Sequence, residues 1–161
     1  MNHLWAPWRM PYIEAESDTA SCILCQLRDQ PDGPDNLVVH RGDQVFIVLN
    51  RFPYTNGHLM VVPNEHQAEL SALPDDTLGE LIRLTSQSVE RLKQAYGAEA
   101  SNIGLNLGRA AGAGIDDHLH IHVVPRWSGD TNFMATTAAT RVLPEALETT
   151  YQRLRQAWEN T

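Results

Sequence analysis

Three of the seven histidines in the chain lie at alternate positions of one short stretch, HLHIHVVPRW, which runs from residue 118 to residue 127. Side chains two residues apart on a β-strand point to the same face and lie about 6.5–7 Å from one another. We therefore expect His118, His120 and His122 to share one face of a strand, with the aliphatic residues between them buried against a helix. A polar edge strand that is rich in histidine by chance is the alternative, and this spacing disfavours it.

Two kinds of chemistry fit these imidazoles. Two of them could hold zinc or a similar metal, and Asp116, Asp117 and His58 are available to complete the shell. Alternatively, one neutral imidazole attacks phosphorus and forms a covalent phosphoramidate, while its neighbours bind the charge of the substrate. The loop GRAAGAG, residues 108–114, favours the second chemistry, because its backbone could approach a phosphate closely and offer N–H donors.

Composition limits the partners of such a site. The chain has 161 residues, 42% of them apolar, and a formal net charge of −8. These values suit one globular domain and argue against a role in binding nucleic acid or a membrane surface, although a few local donors can still hold a small anion. No apolar run has the length of a membrane span or the form of a signal peptide, so we expect a cytoplasmic protein.

Five short apolar runs predict the strands that would position the histidines: residues 36–40, 44–50, 57–63, 102–108 and 118–125. The links between the first three runs are short, which favours antiparallel neighbours. A long helix is predicted over residues 78–96, with Pro74-Asp75-Asp76 to cap its start and Gly97 to end it, and a second helix over residues 144–158. We expect an α+β fold, in which two main helices pack on a five-stranded antiparallel sheet.

The histidine string and its surroundings match a known pattern. Residues 118–124 read H-φ-H-φ-H-φ-φ, where φ is an apolar residue, and VFIVLNRFPYTNGHLMVVPNEH (45 to 66) and NIGLNLGRAAGAG (102 to 114) accompany it. In these segments the chain resembles the histidine triad family of nucleotide hydrolases and transferases. The resemblance predicts a single domain over residues 1–161 with its core at about 22–127. LWAPWRM near the start and PRWSGDTNF after the triad look most like the diadenosine tetraphosphate phosphorylase branch.

The resemblance implies different roles for the histidines. His120 would attack the phosphorus and form a nucleotidyl-histidine intermediate, His122 would donate to a non-bridging phosphate oxygen, and His58 would complete the cluster from the neighbouring strand. No metal would be needed at the nucleophile. The resemblance also implies a nucleotide-binding set: Asn50 at the ribose hydroxyls, Asn106 beside the phosphate, the backbone of Ala113 and Gly114, and Trp127 by the ligand.

The chain departs from the family pattern just before the triad. Many members carry Gly-Gln-Ser or Gly-Gln-Thr where this chain has Gly114-Ile115-Asp116, so only backbone donors to the phosphate carry over. Asp116 and Asp117 also place negative charge near an anionic substrate. Either they face away from it, or they orient an imidazole through its second nitrogen, as carboxylates often do.

A metal site is implied by the two cysteines. Cys22 and Cys25 form one C-x-x-C, which supplies half of a tetrahedral zinc site and excludes a disulfide framework. Several bacterial members of the family complete the site with the histidine of a P-x-x-H and the first histidine of the triad, here His66 and His118. The resemblance thus implies structural zinc, and the alternatives are a redox pair or two buried thiols.

The resemblance implies an enzyme that cleaves dinucleoside polyphosphates such as diadenosine tetraphosphate, with phosphate favoured over water as the acceptor. A purine nucleoside phosphoramidase or hydrolase of the same family, a metal-dependent hydrolase and a nucleotide- or partner-binding module with little turnover are the alternatives. Because family members commonly dimerise by joining their sheets edge to edge, we also expect a homodimer.

Overall fold

The computed structural model describes residues 22–130 and 144–160. The segment LWAPWRM and the last residues of PRWSGDTNF lie outside these ranges. The elements are, in chain order, helix α1 (Ile23–Asp29), strands β1 (Val38–Arg41), β2 (Val45–Leu49) and β3 (Leu59–Pro63), helix α2 (Asp75–Tyr96), strands β4 (Ala100–Gly104) and β5 (Ile121–Arg126), and helix α3 (Leu147–Glu159).

The strands form a single five-stranded sheet in the order β1-β2-β3-β5-β4, and every neighbouring pair is antiparallel. Every side chain of β2 and β3 is buried, so the core lies around the centre of the sheet. Strands β3 and β4 both pair with β5 at His122, where Met60 of β3 and Gly104 of β4 lie opposite it. The predicted α+β fold with a five-stranded antiparallel sheet is confirmed.

Helix α1 corrects the prediction of two main helices, because the described residues contain three. With seven residues it is too short to show a helical period or to be stable alone. Tertiary contacts hold it instead: the Arg41 guanidinium donates to the carbonyls of Leu27, Arg28 and Gln30 at the C-terminal end of the helix. These carbonyls have no partner within the helix, so β1 supplies the donors that they need.

Helix α2 ends where the sequence predicts and starts slightly earlier. Gly97 takes the left-handed conformation with a φ of 61°, which favours glycine and closes the helix. Asp75 and Asp76 lie within the first turn rather than at the cap, where their charge is favoured by the helix dipole. None of the helices in the described residues is long and apolar enough to cross a bilayer.

Strand β5 begins three residues later than predicted, so His118 and His120 lie in the segment that leads into it. The ladder with β3 stops at the pair Val61 and Ile121, because Pro63 has no N–H to donate to a further pair. Leu119 donates its N–H to the carbonyl of Gln67 instead, at 2.8 Å. Strand β4 differs from the prediction in the opposite direction: it begins and ends earlier, at residues 100–104 rather than 102–108.

Helix α3 packs on the sheet at β1, where the rings of Trp158 and His40 stack with their centroids 4.3 Å apart. Just before the helix, Glu145 accepts hydrogen bonds from the side chains of Tyr96, Thr150 and Arg153. Burial alone would raise the pKa of Glu145, but these bonds outweigh burial and hold the pKa below its ordinary value. One carboxylate thus joins the ends of two helices.

We expect Glu145→Gln to lower the free energy of unfolding by about 1–3 kcal/mol near pH 7, since a charged acceptor of three hydrogen bonds becomes a neutral amide. A carboxylate whose pKa is lowered in the folded state stabilises the fold above its ordinary pKa of 4.5 and loses that contribution as the pH falls through the folded-state value. Urea unfolding at several pH values should show the difference in free energy of unfolding between the two proteins becoming smaller below that pH. A difference that does not change with pH would contradict this role.

Candidate active site and metal centre

Four aromatic rings lie in contact where β3 and β5 meet. The ring centroids of Tyr54 and His58 are 4.7 Å apart, those of His58 and His122 are 5.1 Å apart, and those of His122 and His120 are 4.9 Å apart. His58 immediately precedes β3, and His122 is the second residue of β5. The structure therefore brings His58, His120 and His122 together, as the sequence analysis expects of a catalytic cluster.

The backbone fixes the tautomer of His120. Its Nδ1 lies 2.9 Å from the carbonyl oxygen of His118, and because a carbonyl can only accept, Nδ1 carries the proton and Nε2 presents its lone pair. The side chain is buried, and burial lowers the pKa of His120 although the bond to the carbonyl opposes it. A neutral imidazole with an available lone pair is the state that a nucleophile requires.

A series of hydrogen bonds fixes the tautomers of His58 and His122. The backbone N–H of Tyr54 donates to Nδ1 of His58 at 3.1 Å, so the proton of neutral His58 lies on Nε2. That N–H points at Nδ1 of His122, 3.0 Å away, and His122 must then carry its own proton on Nε2. His122 is thereby a donor beside the nucleophile, which suits it to bind a developing negative charge on a phosphate oxygen.

Asn50 lies beside this cluster, and its contacts are with the protein. Its Oδ1 accepts from the N–H of Phe52 at 2.9 Å, and its Nδ2 lies 3.5 Å from Nδ1 of His58. The amide therefore caps the turn that follows β2 and borders the His58 ring. Any contact with a ribose would come from the same amide.

The small-residue loop 108–114 is curled by two glycines. Gly108 and Gly112 have φ values of 77° and 87°, which side chains rarely tolerate. The Asn106 amide donates to the carbonyl of Gly112 at 3.5 Å, and the N–H of Ala113 points to the carbonyl of Gly108 at 3.4 Å. Gly114 is exposed at the end of the loop. Asn106 thus supports the loop that the sequence predicts to hold phosphate.

Trp127, a member of the predicted nucleotide-binding set, directly follows the last residue of β5. Its indole N–H donates to the carbonyl of Tyr96 at the end of α2, at 3.2 Å. The ring is partly buried against the core, and its place beside a nucleotide stays a prediction.

The four predicted metal ligands lie together at the start of the triad segment. One ligand atom from each residue can be chosen so that all four lie within 4.8 Å of one another. Cys22 Sγ is 3.3 Å from Nδ1 of His118, and Cys25 Sγ is 3.5 Å from the same nitrogen and 3.4 Å from Nδ1 of His66. Ligands of a tetrahedral zinc ion are separated by about 3.3–3.8 Å, given usual zinc–ligand bond lengths. These residues fit a metal ion.

The second nitrogen of His118 has a hydrogen-bond acceptor, as is usual in metal sites, and that of His66 lies near a carboxylate. Nε2 of His118 donates to the Pro63 carbonyl at 2.9 Å, which leaves Nδ1 for the metal. Nε2 of His66 lies 3.8 Å from a carboxylate oxygen of Asp117. Asp116 instead pairs with Arg109 in the small-residue loop, at 2.7 Å. The question left open by the sequence is answered: Asp117 borders a ligand imidazole, and Asp116 faces a cation.

Burial raises the pKa of the Cys22 thiol, and the neighbouring Cys25 and Asp117 raise it further. A bound dication would reverse this effect and hold both cysteines as thiolates. Two cysteines and two histidines already fill a tetrahedral shell, and a closed shell is typical of structural rather than catalytic zinc. His118 belongs to this centre, while His120 and His122 belong to the neighbouring cluster.

Sequence analysis missed two groups that shape these sites. The ring of Tyr54 packs against His58 at a tilt of 33°. Arg28 anchors α1, which contains Cys25 and directly follows Cys22, by donating to the Asn64 carbonyl at 2.6 Å. Tyr54 stands in the quoted segment 45–66, but neither spacing nor charge distinguishes it there. Arg28 reads as an ordinary surface charge, since its acceptor is a backbone group brought close only by the fold.

Comparisons with known proteins agree with this architecture. Residues 32–129 match the HIT domain family. A protein from Mycobacterium tuberculosis named AP-4-A phosphorylase is 37% identical over 165 residues, which cover 98% of this chain and 85% of that protein. The chain belongs to the histidine triad (HIT) family.

Solved structures show the same fold. A zinc-bound histidine triad family protein from Mycobacterium smegmatis superposes with a TM-score of 0.69 at 26% identity, covering 87% of this chain and 94% of that one. A hypothetical histidine triad nucleotide-binding protein from Sulfolobus tokodaii also gives a TM-score of 0.69, at 27% identity, covering 86% and 93% of the two chains. The family resemblance inferred from the histidine string is confirmed.

Proposed function

We propose that the protein cleaves dinucleoside polyphosphates, diadenosine tetraphosphate among them, through a covalent nucleotidyl group on His120. One observation carries the proposal: His120 is buried with its proton fixed on Nδ1 by a carbonyl, and the donor ring of His122 lies beside it. The 37% identity to the mycobacterial AP-4-A phosphorylase supports the choice of substrate.

In the first step Nε2 of His120 attacks the α-phosphorus. A P–N bond forms, the bond from that phosphorus to the bridging oxygen breaks, and the remaining nucleoside polyphosphate leaves with the electron pair. His122 donates a hydrogen bond from Nε2–H to a non-bridging oxygen and keeps its proton, and His58 holds His122 in the donating tautomer. In the second step an acceptor oxygen attacks the same phosphorus and releases His120.

The nucleotide is bound by the groups around the cluster. Asn50 meets the ribose hydroxyls, and Asn106 together with the backbone of Ala113 and Gly114 binds the phosphate. The curled loop 108–114 supports this assignment, because its glycines allow the backbone to come close to an anion. Trp127, whose indole N–H is tied to helix α2, lies by the ligand at the end of β5.

Phosphate is the favoured acceptor, and product analysis tests this. With diadenosine tetraphosphate and inorganic phosphate, we expect ADP and ATP, since phosphate adds to the adenylyl group. The same incubation without phosphate should give little turnover. AMP with ATP, or two ADP molecules, at an undiminished rate without phosphate would make the protein a hydrolase instead.

Zinc is the ion that best suits the centre of Cys22, Cys25, His66 and His118. Its tetrahedral preference and its affinity for sulfur and imidazole nitrogen match the ligand set and spacing. The zinc-bound relative from Mycobacterium smegmatis adds support. When bound, zinc stabilises the thiolates and cross-links α1 to the segments that follow β3 and precede β5.

The homodimer is proposed to form at strand β4. It is an edge strand of the sheet, nearly all of its residues are exposed, and Ile103 is exposed to 53%. An uncovered strand edge with an apolar side chain is suited to pairing with a second strand. Pairing of two β4 strands would join two sheets into one.

A further inference from the structure

Tyr54 contacts His58 in two ways. Its backbone N–H donates to Nδ1 of His58 at 3.1 Å, and its ring lies over the imidazole with centroids 4.7 Å apart and planes tilted by 33°. The same ring lies 6.3 Å from the ring of His122, tilted by 30°. These centroid distances fall in the range in which aromatic rings attract one another. Tyr54 therefore packs beside the two histidines that are hydrogen-bonded to each other.

The backbone around His58 is already fixed by other bonds. The N–H of Asn50 donates to the carbonyl of His58 at 2.9 Å, and the N–H of His58 donates to the carbonyl of Thr55 at 3.2 Å. Rotation of the imidazole about its last side-chain torsion, which is broad for histidine, is opposed by the hydrogen bonds at its two nitrogens. The Tyr54 ring, with its centroid 4.7 Å from that of the imidazole, adds to this opposition.

The orientation of His58 decides which nitrogen of His122 carries the proton. If the His58 imidazole rotated by about 180° about its last side-chain torsion, it would lose two hydrogen bonds. One joins its Nδ1 to the Tyr54 N–H, and the other joins its Nε2–H to Nδ1 of His122. His122 could then carry its proton on Nδ1, and Nε2 would present a lone pair to the phosphate oxygen. A donor would become a repulsive acceptor at the position where charge develops.

We propose that Tyr54 is a positioning residue that keeps the His58–His122 pair in the donating tautomer through the contact of its aromatic ring with His58. This proposal rests on the proposed function, because it assigns Tyr54 a part in the same site. The aromatic ring is the active feature, so phenylalanine should replace tyrosine and an aliphatic residue should not.

Kinetics with diadenosine tetraphosphate and phosphate give the first test. Tyr54→Leu should lower kcat by about tenfold or more, with KM changed by less than about threefold, since small losses of alignment cost catalysis rather than ground-state binding. Tyr54→Phe should restore kcat to within about twofold of the original. Ile82→Ala, on an exposed site of helix α2, controls for the loss of an apolar surface side chain. An unchanged kcat in Tyr54→Leu, a rise confined to KM, or an equal loss in Tyr54→Phe would overturn the proposal.

Nitrogen-15 NMR of the histidine rings gives a test that does not depend on turnover, because ring shifts distinguish the two neutral tautomers. The unaltered protein should show His58 and His122 both protonated on Nε2, and Tyr54→Leu should show a mixture. Unchanged tautomers in a folded Tyr54→Leu protein would overturn the positioning role. If the unaltered protein fails to cleave any dinucleoside polyphosphate, the proposed function fails, and the NMR comparison still decides the role of Tyr54.

Discussion

His120→Ala is expected to reduce turnover of diadenosine tetraphosphate by about 10⁴-fold or more while nucleotide binding is retained. Removing the atom that forms the P–N bond leaves only binding and charge stabilisation, and loss of a covalent nucleophile generally has effects of this size. Steady-state kinetics together with calorimetric titration of a nucleotide would measure both quantities. Full activity in this variant would exclude His120 as the nucleophile.

Two control variants separate chemistry from folding. The His120 ring is buried and donates to the His118 carbonyl, so truncation also leaves a buried acceptor unpaired, at a cost of about 1–3 kcal/mol. His120→Asn can keep an N–H donor near that carbonyl and should be equally inactive. His40→Ala removes a histidine that stacks on Trp158 at β1 and should keep turnover unchanged.

Removal of the metal is expected to lower the melting temperature by about 10 °C or more, since the binding free energy of a structural ion is largely folding free energy. The ligands come from three separate segments, at residues 22–25, 66 and 118. Without the ion, two thiols and two imidazoles remain with only weak contacts between them. Thermal unfolding before and after chelation measures the loss.

The same experiment distinguishes a structural from a catalytic metal. Below the lowered melting temperature, the metal-free protein should keep a substantial part of its turnover, because His120 takes its tautomer from a backbone carbonyl. Cys22→Ser combined with Cys25→Ser should reproduce the loss of stability, and adding zinc back should restore the chelated protein only. Immediate and complete loss of turnover in a protein that is still folded would instead indicate a metal-dependent hydrolase.

Much of the sheet could be predicted because its signals are local. Apolar runs with short links predict antiparallel strands, and Gly97 marks the end of α2 through its own conformation. The start of β5 could not be predicted, because it depends on Pro63, which lacks a donor, lying opposite on another strand. Helix α1 was missed because the donors that stabilise it belong to Arg41, more than ten residues away.

The composition of the site was predictable, whereas its protonation states were not. The histidine string and the family resemblance point to His58, His120 and His122 as one group. Which nitrogen of each ring carries the proton depends on backbone groups, such as the carbonyl of His118 and the N–H of Tyr54, that only the fold places beside the rings. Strand alternation alone made the three triad histidines equivalent, and these bonds make them different.

A covalent nucleotidyl group on His120 is the central claim, and trapping it is the most direct test. The protein would be mixed with diadenosine tetraphosphate without phosphate, denatured under neutral or basic conditions that preserve a P–N bond, and mapped by peptide mass spectrometry. We predict one adenylyl group on the peptide that carries His120, and its loss with formation of ADP when phosphate is added before denaturation. Turnover with no adenylyl group on the protein, or with the group on a different residue, would contradict the mechanism.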